Sequence, residues 1–278
     1  PQTRMGVEQI YYEAFKQAKE YEAAWKKYNA LDKKTKSTTP APQRDLEKET
    51  LVEILNKKRF ISCHSYVQSE INMLMKVADS MGFTVNTFTH VLEGYKVADK
   101  MKAHGAGGST FSDWWAYKME VKDAIPYNAA MMHKVGVTTA INSDDAEMGR
   151  RLNQEAAKSV KYGGMSEEEA LKMITLNPAK LLKLDQQTGS IKVGKDADIV
   201  LWNDNPLSIY ATVSHTWVDG INYYNEAKNQ EMQQFVKTER NRLIQAMLQA
   251  KKDKKPTAKP APKTKNKIWH CEEIGCVH

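Results

Sequence analysis

Three side chains in this sequence pair metal-ligand or proton-transfer chemistry with the same kind of position. His64 ends the run Arg59-Phe60-Ile61-Ser62-Cys63-His64. His90 ends Phe83 to His90, and Asp144 follows Gly136 to Ser143. Each run is short and rich in apolar or β-branched residues, the pattern of a buried strand. Ligands gather at the carboxyl ends of strands in parallel α/β folds. Neutral imidazole and carboxylate are the usual ligands of a zinc-type divalent ion. A catalytic site of that kind needs about three protein ligands and one open position for water. The ion lowers the pKa of that water to about 7, and a nearby carboxylate collects the proton. Plainer roles stand beside these. A histidine at a strand end is commonly a hydrogen-bonded core or loop residue. Asp144, with Glu147 three residues on, also matches a capping box opening a helix at Ala146.

The elements that must position these groups follow from periodicity. Residues 7–30 and 46–57 read as amphipathic helices, joined by a polar loop, 31–45, carrying Pro40 and Pro42. Strand and helix then alternate four times. Strands are expected at 59–64, 83–90, 105–111 and 136–142, and helices at 70–81, 92–103, 124–134, 148–162 and 166–173. That alternation marks a parallel sheet, either an open doubly wound sheet or part of a (β/α) barrel. After Pro178 the texture changes. Residues 188–202 read as two short strands around a glycine turn. Val213 to Val218 and Ile221 to Tyr224 read as a hairpin turning at Asp219-Gly220. A helix is expected over 228–250.

Composition narrows the class. With 278 residues, 41% hydrophobic and 27% charged, the chain suits one large domain or a large and a small one. No apolar run reaches the roughly 20 residues of a membrane span. The net charge is +7, but the excess lysine concentrates in 24–38 and 251–267. That pattern suits solvated segments and argues against a folded basic face for nucleic acid. Three cysteines are too few for a disulfide scaffold. The chain starts at Pro1, so the compartment, cytoplasmic or exported to a periplasm, is not fixed by its first residues.

Further candidates surround the three strand ends. Trp114 and Trp115 lie on the loop after the third strand and suit a substrate pocket, or equally a packed cap. Glu93 and Tyr95 follow His90 and fall within reach of the site, or serve the first turn of a helix. Asp145 adjoins Asp144. At the C-terminus, His270, Cys271, Cys276 and His278 offer two imidazoles and two thiolates, a set for tetrahedral zinc, for a disulfide, or for an unstructured tail.

Three runs carry a family resemblance. They are Gly163-Gly164-Met165-Ser166-Glu167-Glu168-Glu169-Ala170-Leu171, Ile174-Thr175-Leu176-Asn177-Pro178-Ala179-Lys180, and Gly189-Ser190-Ile191-Lys192-Val193-Gly194-Lys195-Asp196-Ala197-Asp198-Ile199-Val200. With them, residues 50–225 resemble the C-terminal portion of a metal-dependent amidohydrolase of the imidazolonepropionase-like and prolidase-like branch. The resemblance implies an α/β fold, a distorted (β/α)8 barrel with its C-terminal half present, plus part of a small β-sandwich domain. The implied divisions are barrel over 1–180, sandwich segment over 181–227, helix over 228–250, and a Lys/Pro linker with a His/Cys tail over 251–278. It assigns His64, His90 and Asp144 to a divalent metal, zinc by preference, with Asp144 also shuttling the proton. The third run threads the barrel to the sandwich, which makes Lys195, Asp196 and Asp198 turn and edge residues.

The family's first-strand His-x-His pair has no counterpart here. The chain is therefore expected to be a fragment, inactive alone, completed by the N-terminal half of the same protein. The expected reaction is hydrolysis of a C–N bond in a small amide or dipeptide, and homo-oligomerisation is compatible with it. The alternative is an inactive, barrel-derived binding protein.

Overall fold

The computed structural model describes residues 1–114 and 116–258. Helix α1, Arg4–Asn29, opens on Thr3, whose hydroxyl accepts from the Gly6 amide at 3.0 Å. It buries Phe15 and Ala18, and the Phe15 ring stacks on Phe83 at 4.2 Å. The expected polar loop contains one short helix, α2, Lys33–Lys36, because Asp32 caps it with bonds to Lys34 and Thr35. Helix α3, Leu46–Leu55, is capped the same way by Asp45.

Four strands follow: β1 Ser62–His64, β2 Thr87–Thr89, β3 Gly107–Thr110 and β4 Thr139–Ile141. Every neighbouring pair is parallel, in the order β1-β2-β3-β4. The order has no reversal, so it lacks the switch point of a doubly wound sheet. The register sets Cys63, Phe88, Gly108 and Thr139 in one row. Successive side chains alternate faces, so this row faces the helices. Helix α4, Gln68–Met81, brings Ile71 and Leu74; α5, Ala98–His104, brings Met101; α6, Asn128–Val135, brings Met132. Phe88, Ile71, Met101 and Met132 are fully buried, each contributing about 1.5–3 kcal/mol. Helices α4, α5 and α6 each end on a left-handed glycine, Gly82, Gly105 and Gly136, which turns the chain back toward the next strand.

The strands are shorter than the sequence runs suggest, because residues on either side bend out of the ladder. Between β2 and α5 the expected long helix is split: residues Gly94–Lys96 form a 3-10 turn first. After β4 the expected single helix is likewise two, α7 Ala146–Gly149 and α8 Leu152–Gly163. Helices α9, Glu167–Lys172, and α10, Leu176–Leu181, follow. They meet the outer edge of β4 at two points: the Ile141 amide donates to the Met173 carbonyl, and the Asn177 side-chain amide to the Thr139 carbonyl.

Past α10 lies a three-stranded sheet, β5 Ile199–Trp202, β6 Val213–Val218 and β7 Ile221–Asn225, in sequential order. The strands β5 and β6 are antiparallel. Residues 188–198 form turns rather than the expected additional strand. The reason is side-chain bonding to the main chain: Lys195 Nζ donates to the Thr188 carbonyl at 3.1 Å and to Ser190 Oγ at 2.8 Å. Asp198 accepts from the Asp219 amide at 3.0 Å and thereby holds the β6–β7 turn. From Asn225 onward a separate unit begins with helix α11, Glu226–Lys252. Among the described residues no helix is long and apolar enough to cross a membrane.

Candidate active site

His64, His90 and Asp144 converge at the carboxyl edge of the parallel sheet. His90 is the centre. It sits just past β2 with φ of 60°, a left-handed conformation uncommon outside glycine and enriched in histidine. Such backbone outliers cluster at functional sites. The ring is buried, at 3% exposure. Its neighbours are His64 at 4.5 Å, Tyr66 at 5.4 Å and Phe111 at 5.4 Å between ring centroids. His90 Nε2 is in close contact with His64 Nδ1. On its other side, His90 Nδ1 lies 3.1 Å from Asp144 Oδ2.

The two aspartates after β4 have separate jobs. Asp145, not Asp144, caps the following helix: its Oδ1 accepts from the Glu147 and Met148 amides, both at 2.9 Å. The capping-box alternative for Asp144 is thereby corrected. The cap position falls one residue later, and Asp144 turns to His90 instead. The 3.1 Å approach of Asp144 Oδ2 to His90 Nδ1 is a contact without the angle of a hydrogen bond, and it leaves Nε2 on the side of His64. This is the carboxylate-behind-imidazole arrangement that orients metal-binding histidines.

The donor types fit a zinc-type ion; the set is incomplete. Two imidazole nitrogens converge, and the carboxylate lies behind one of them. Ligand bonds of about 2.0–2.1 Å would set two such nitrogens about 3.4 Å apart, wider than the contact here. Among the described residues no group of three or more His, Cys, Asp or Glu is placed to hold a metal.

Around the pair runs an aromatic wall. Phe111 packs on Trp114 at 4.5 Å, and Trp114 meets Tyr117 edge-on at 5.8 Å. The Trp114 indole donates to Met148 Sδ at 2.7 Å, which ties the loop after β3 to α7. The Lys118 ammonium lies 4.1 Å from the centre of the Tyr66 ring. Burial, followed by the neighbouring Tyr66, pushes the Tyr117 hydroxyl up to about 12, so it stays protonated at neutral pH.

Other candidates have structural partners. Glu93 is buried and its Oε2 accepts from the Gln68 amide at 3.0 Å. It caps α4 from a distance, a helix whose own N-cap residue Val67 makes no side-chain bond. Tyr95 donates from its hydroxyl to the Asp123 carbonyl at 2.9 Å. Trp115 and the tail residues His270, Cys271, Cys276 and His278 lie outside the described residues.

Two groupings escaped the sequence reading. Asn128, buried, ties the segment after β2 to β3: it accepts from the Tyr95 amide and donates to the Val91 carbonyl and Thr110 Oγ1. Glu155 of α8 is buried and accepts from Ser112 Oγ, while Lys158 Nζ reaches Glu155 and Asp113 at 2.9–3.0 Å. Burial pulls the Lys158 ammonium down, and hydrogen bonds to Asp113 and Glu155 outweigh it, so its pKa rises. The available signal was Glu155 falling in the apolar stripe with Leu152, Ala156 and Ser159, where a charge needs a partner.

Parallel strands that deliver two imidazoles and a carboxylate to one edge define an α/β protein with a histidine–carboxylate centre. Comparison with known proteins makes this specific: residues 4–223 match the model of the Amidohydrolase family, and the chain belongs to that family. It is 28% identical over 187 residues to Amidohydrolase tasK of Hapsidospora irregularis, covering 66% of this chain and 19% of that protein. It is 30% identical over 135 residues to the imidazolonepropionase of Thermoplasma volcanium, covering 48% and 33% respectively. Among solved structures, an amidohydrolase from Thermotoga maritima superposes with a TM-score of 0.70 at 28% identity, covering 81% of this chain and 57% of that one. The chain thus spans 19% and 33% of the two curated relatives' lengths.

Proposed function

We propose that this chain forms part of a metal-dependent hydrolase that cleaves a C–N bond in a small amide or dipeptide. The observation that carries the proposal is the row His64, His90, Asp144 at the carboxyl edge of four sequential parallel strands. The strands are then consecutive staves of a (β/α)8 barrel, whose catalytic groups gather at this edge. The three-stranded sheet is part of the accompanying small β domain.

His64 and His90 are the residues that would hold the ion. A bound zinc-type ion supplies a polarised carbonyl and a water acidic enough to ionise near pH 7. Asp144 accepts the nucleophile's proton and returns it to the departing nitrogen, the general acid–base role of a carboxylate at such a centre. Its carboxylate lies beside His90 Nδ1, the position from which such a group orients a metal-binding imidazole. The wall of Phe111, Trp114 and Tyr117 gives the site an apolar side, and the Lys118 cation suits a substrate carboxylate. Two converging imidazoles fall short of the three protein ligands of a catalytic zinc site. Donors from outside these 278 residues complete the shell, and these residues alone are not expected to turn over substrate.

The test is hydrolysis of a panel of dipeptides, acyl amino acids and cyclic amides by the zinc-loaded product of the whole coding sequence. Asp144→Asn should lower kcat by about 10²–10⁴-fold, the range of general acid–base catalysis. An unchanged rate in that variant would reject the assignment.

A further inference from the structure

Three consecutive residues of the loop after β3 are held by the helices that follow β4. Ser112 donates from Oγ to Glu155 Oε2 of α8, Asp113 accepts from Lys158 Nζ of α8 at 2.9 Å, and the Trp114 indole meets Met148 of α7. Lys158 Nζ also donates to both Glu155 carboxylate oxygens at 3.0 Å. Glu155 and Lys158 are three apart on α8, a spacing that makes side chains neighbours on a helix surface, so both reach the same loop. Ser112 and Glu155 are buried, at 4% and 6% exposure. A buried carboxylate is costly unless it is paired and hydrogen-bonded. Hydrophobic contact is non-directional and lets a loop slide; these donors and acceptors fit one loop position. The loop carries the apolar side of the site: Phe111 lies 5.4 Å from the His90 ring, and Trp114 lies 4.5 Å from Phe111. The helices that hold it come directly after Asp144, since Asp145 caps α7. The three attachments therefore join the strand end that supplies the apolar side to the strand end that supplies the carboxylate.

We propose that Lys158 and Glu155 are positioning residues that fix the Phe111–Trp114 side of the substrate site against Asp144. They act through Ser112, Asp113 and Trp114. Glu155 and Asp113 converge on one ammonium, so Lys158 holds together two carboxylates that repel without it. In Lys158→Met the loop moves off α8 and Trp114 moves with it. The apolar side binds substrate and takes no part in bond making. Its displacement weakens ground state and transition state alike, which raises KM and spares kcat. This kinetic consequence rests on the hydrolase reading; the position of Trp114 does not.

The test compares the unmodified product of the whole coding sequence with two variants. Lys158→Met removes the ammonium. Asp113→Ala frees the loop from Lys158 and leaves the Glu155–Lys158 pair whole. The first readout is the emission of Trp114 and its quenching by acrylamide, taken as the difference between each protein and the same protein carrying Trp114→Phe. Both variants should shift that emission to longer wavelength and make it more quenchable, Lys158→Met more strongly. The second readout is hydrolysis of the amide and dipeptide panel. Lys158→Met should raise KM by about tenfold and change kcat by less than about threefold. Far-UV circular dichroism checks folding, and if Lys158→Met does not fold, Asp113→Ala decides. Trp114 emission unchanged in a folded variant overturns the proposal. So does an unchanged KM, or a kcat that falls as far as kcat/KM. If the unmodified protein hydrolyses nothing on the panel, the hydrolase reading fails, and the Trp114 emission alone decides the positioning.

Discussion

Asp144 and Asp145 are neighbours of identical type with opposite duties. The sequence placed a carboxylate at the right strand end and left open which role it filled. A capping aspartate and a site aspartate carry the same signature when adjacent, and one residue of register decides between them. The structure gives the helix to Asp145 and the imidazole to Asp144. Asp145→Ala should therefore cost about 1 kcal/mol, the usual worth of an N-cap, and leave metal affinity unchanged. Urea denaturation and a metal titration check both halves. His90 was legible because it closes a buried run, and His64 because it closes a short strand, although that edge run proves largely exposed. Lys118 and Tyr66 were not, since an exposed lysine on a loop looks like any solvated charge. Tyr117 offers a pH test. Its hydroxyl is raised to about 12 in the fold against about 10 in an unfolded chain. The stability it contributes is intact below pH 10 and lost as pH rises from 10 to about 12. Tyr117→Phe should show a shallower loss across that window in stability measured against wild type; an identical slope would contradict it.

At the scale of elements, the alternation of strand and helix was legible because its period switches cleanly and each unit closes on a glycine. The lengths were not. Residues such as Val85 and Val137 are buried apolar groups outside the ladders, and hydrophobic patterning cannot separate a strand from its buried flank. The extra strand expected within 188–198 failed for a different reason: Lys195 and Asp198 bind the main chain and stabilise turns. Helix packing supplies a sharp prediction at Gly163, at the end of α8. An added Cβ there would lie 2.2 Å from the Ala130 Cβ on α6. Alanine normally stabilises a helix by about 1 kcal/mol relative to glycine. Here the neighbour is a β-carbon fixed to the main chain, so overpacking of about 1–3 kcal/mol wins. Gly163→Ala should lower the urea midpoint; a rise would mean the helices separate freely.

The whole molecule unites a parallel sheet of four strands in sequence order, a smaller antiparallel sheet, and a helix beyond the family match. The resemblance carried by Gly189 to Val200 pointed to the family, and the family match confirms it. Whether the strands close a barrel was outside the reach of local patterning, because closure depends on residues far apart in sequence. The central claim is that His64, His90 and Asp144 form a metal site. The most direct measurement is a cobalt(II) titration of the product of the whole coding sequence carrying Cys271→Ser and Cys276→Ser, followed by its absorption spectrum, with His90→Ala alongside. Removing the two tail thiols takes cysteine sulfur of the tail out of the spectrum, and His90→Ala then reports on the sheet edge. The account predicts stoichiometric binding with nitrogen–oxygen ligand-field bands that His90→Ala abolishes. Binding that survives His90→Ala unchanged, or no binding at all, would contradict it.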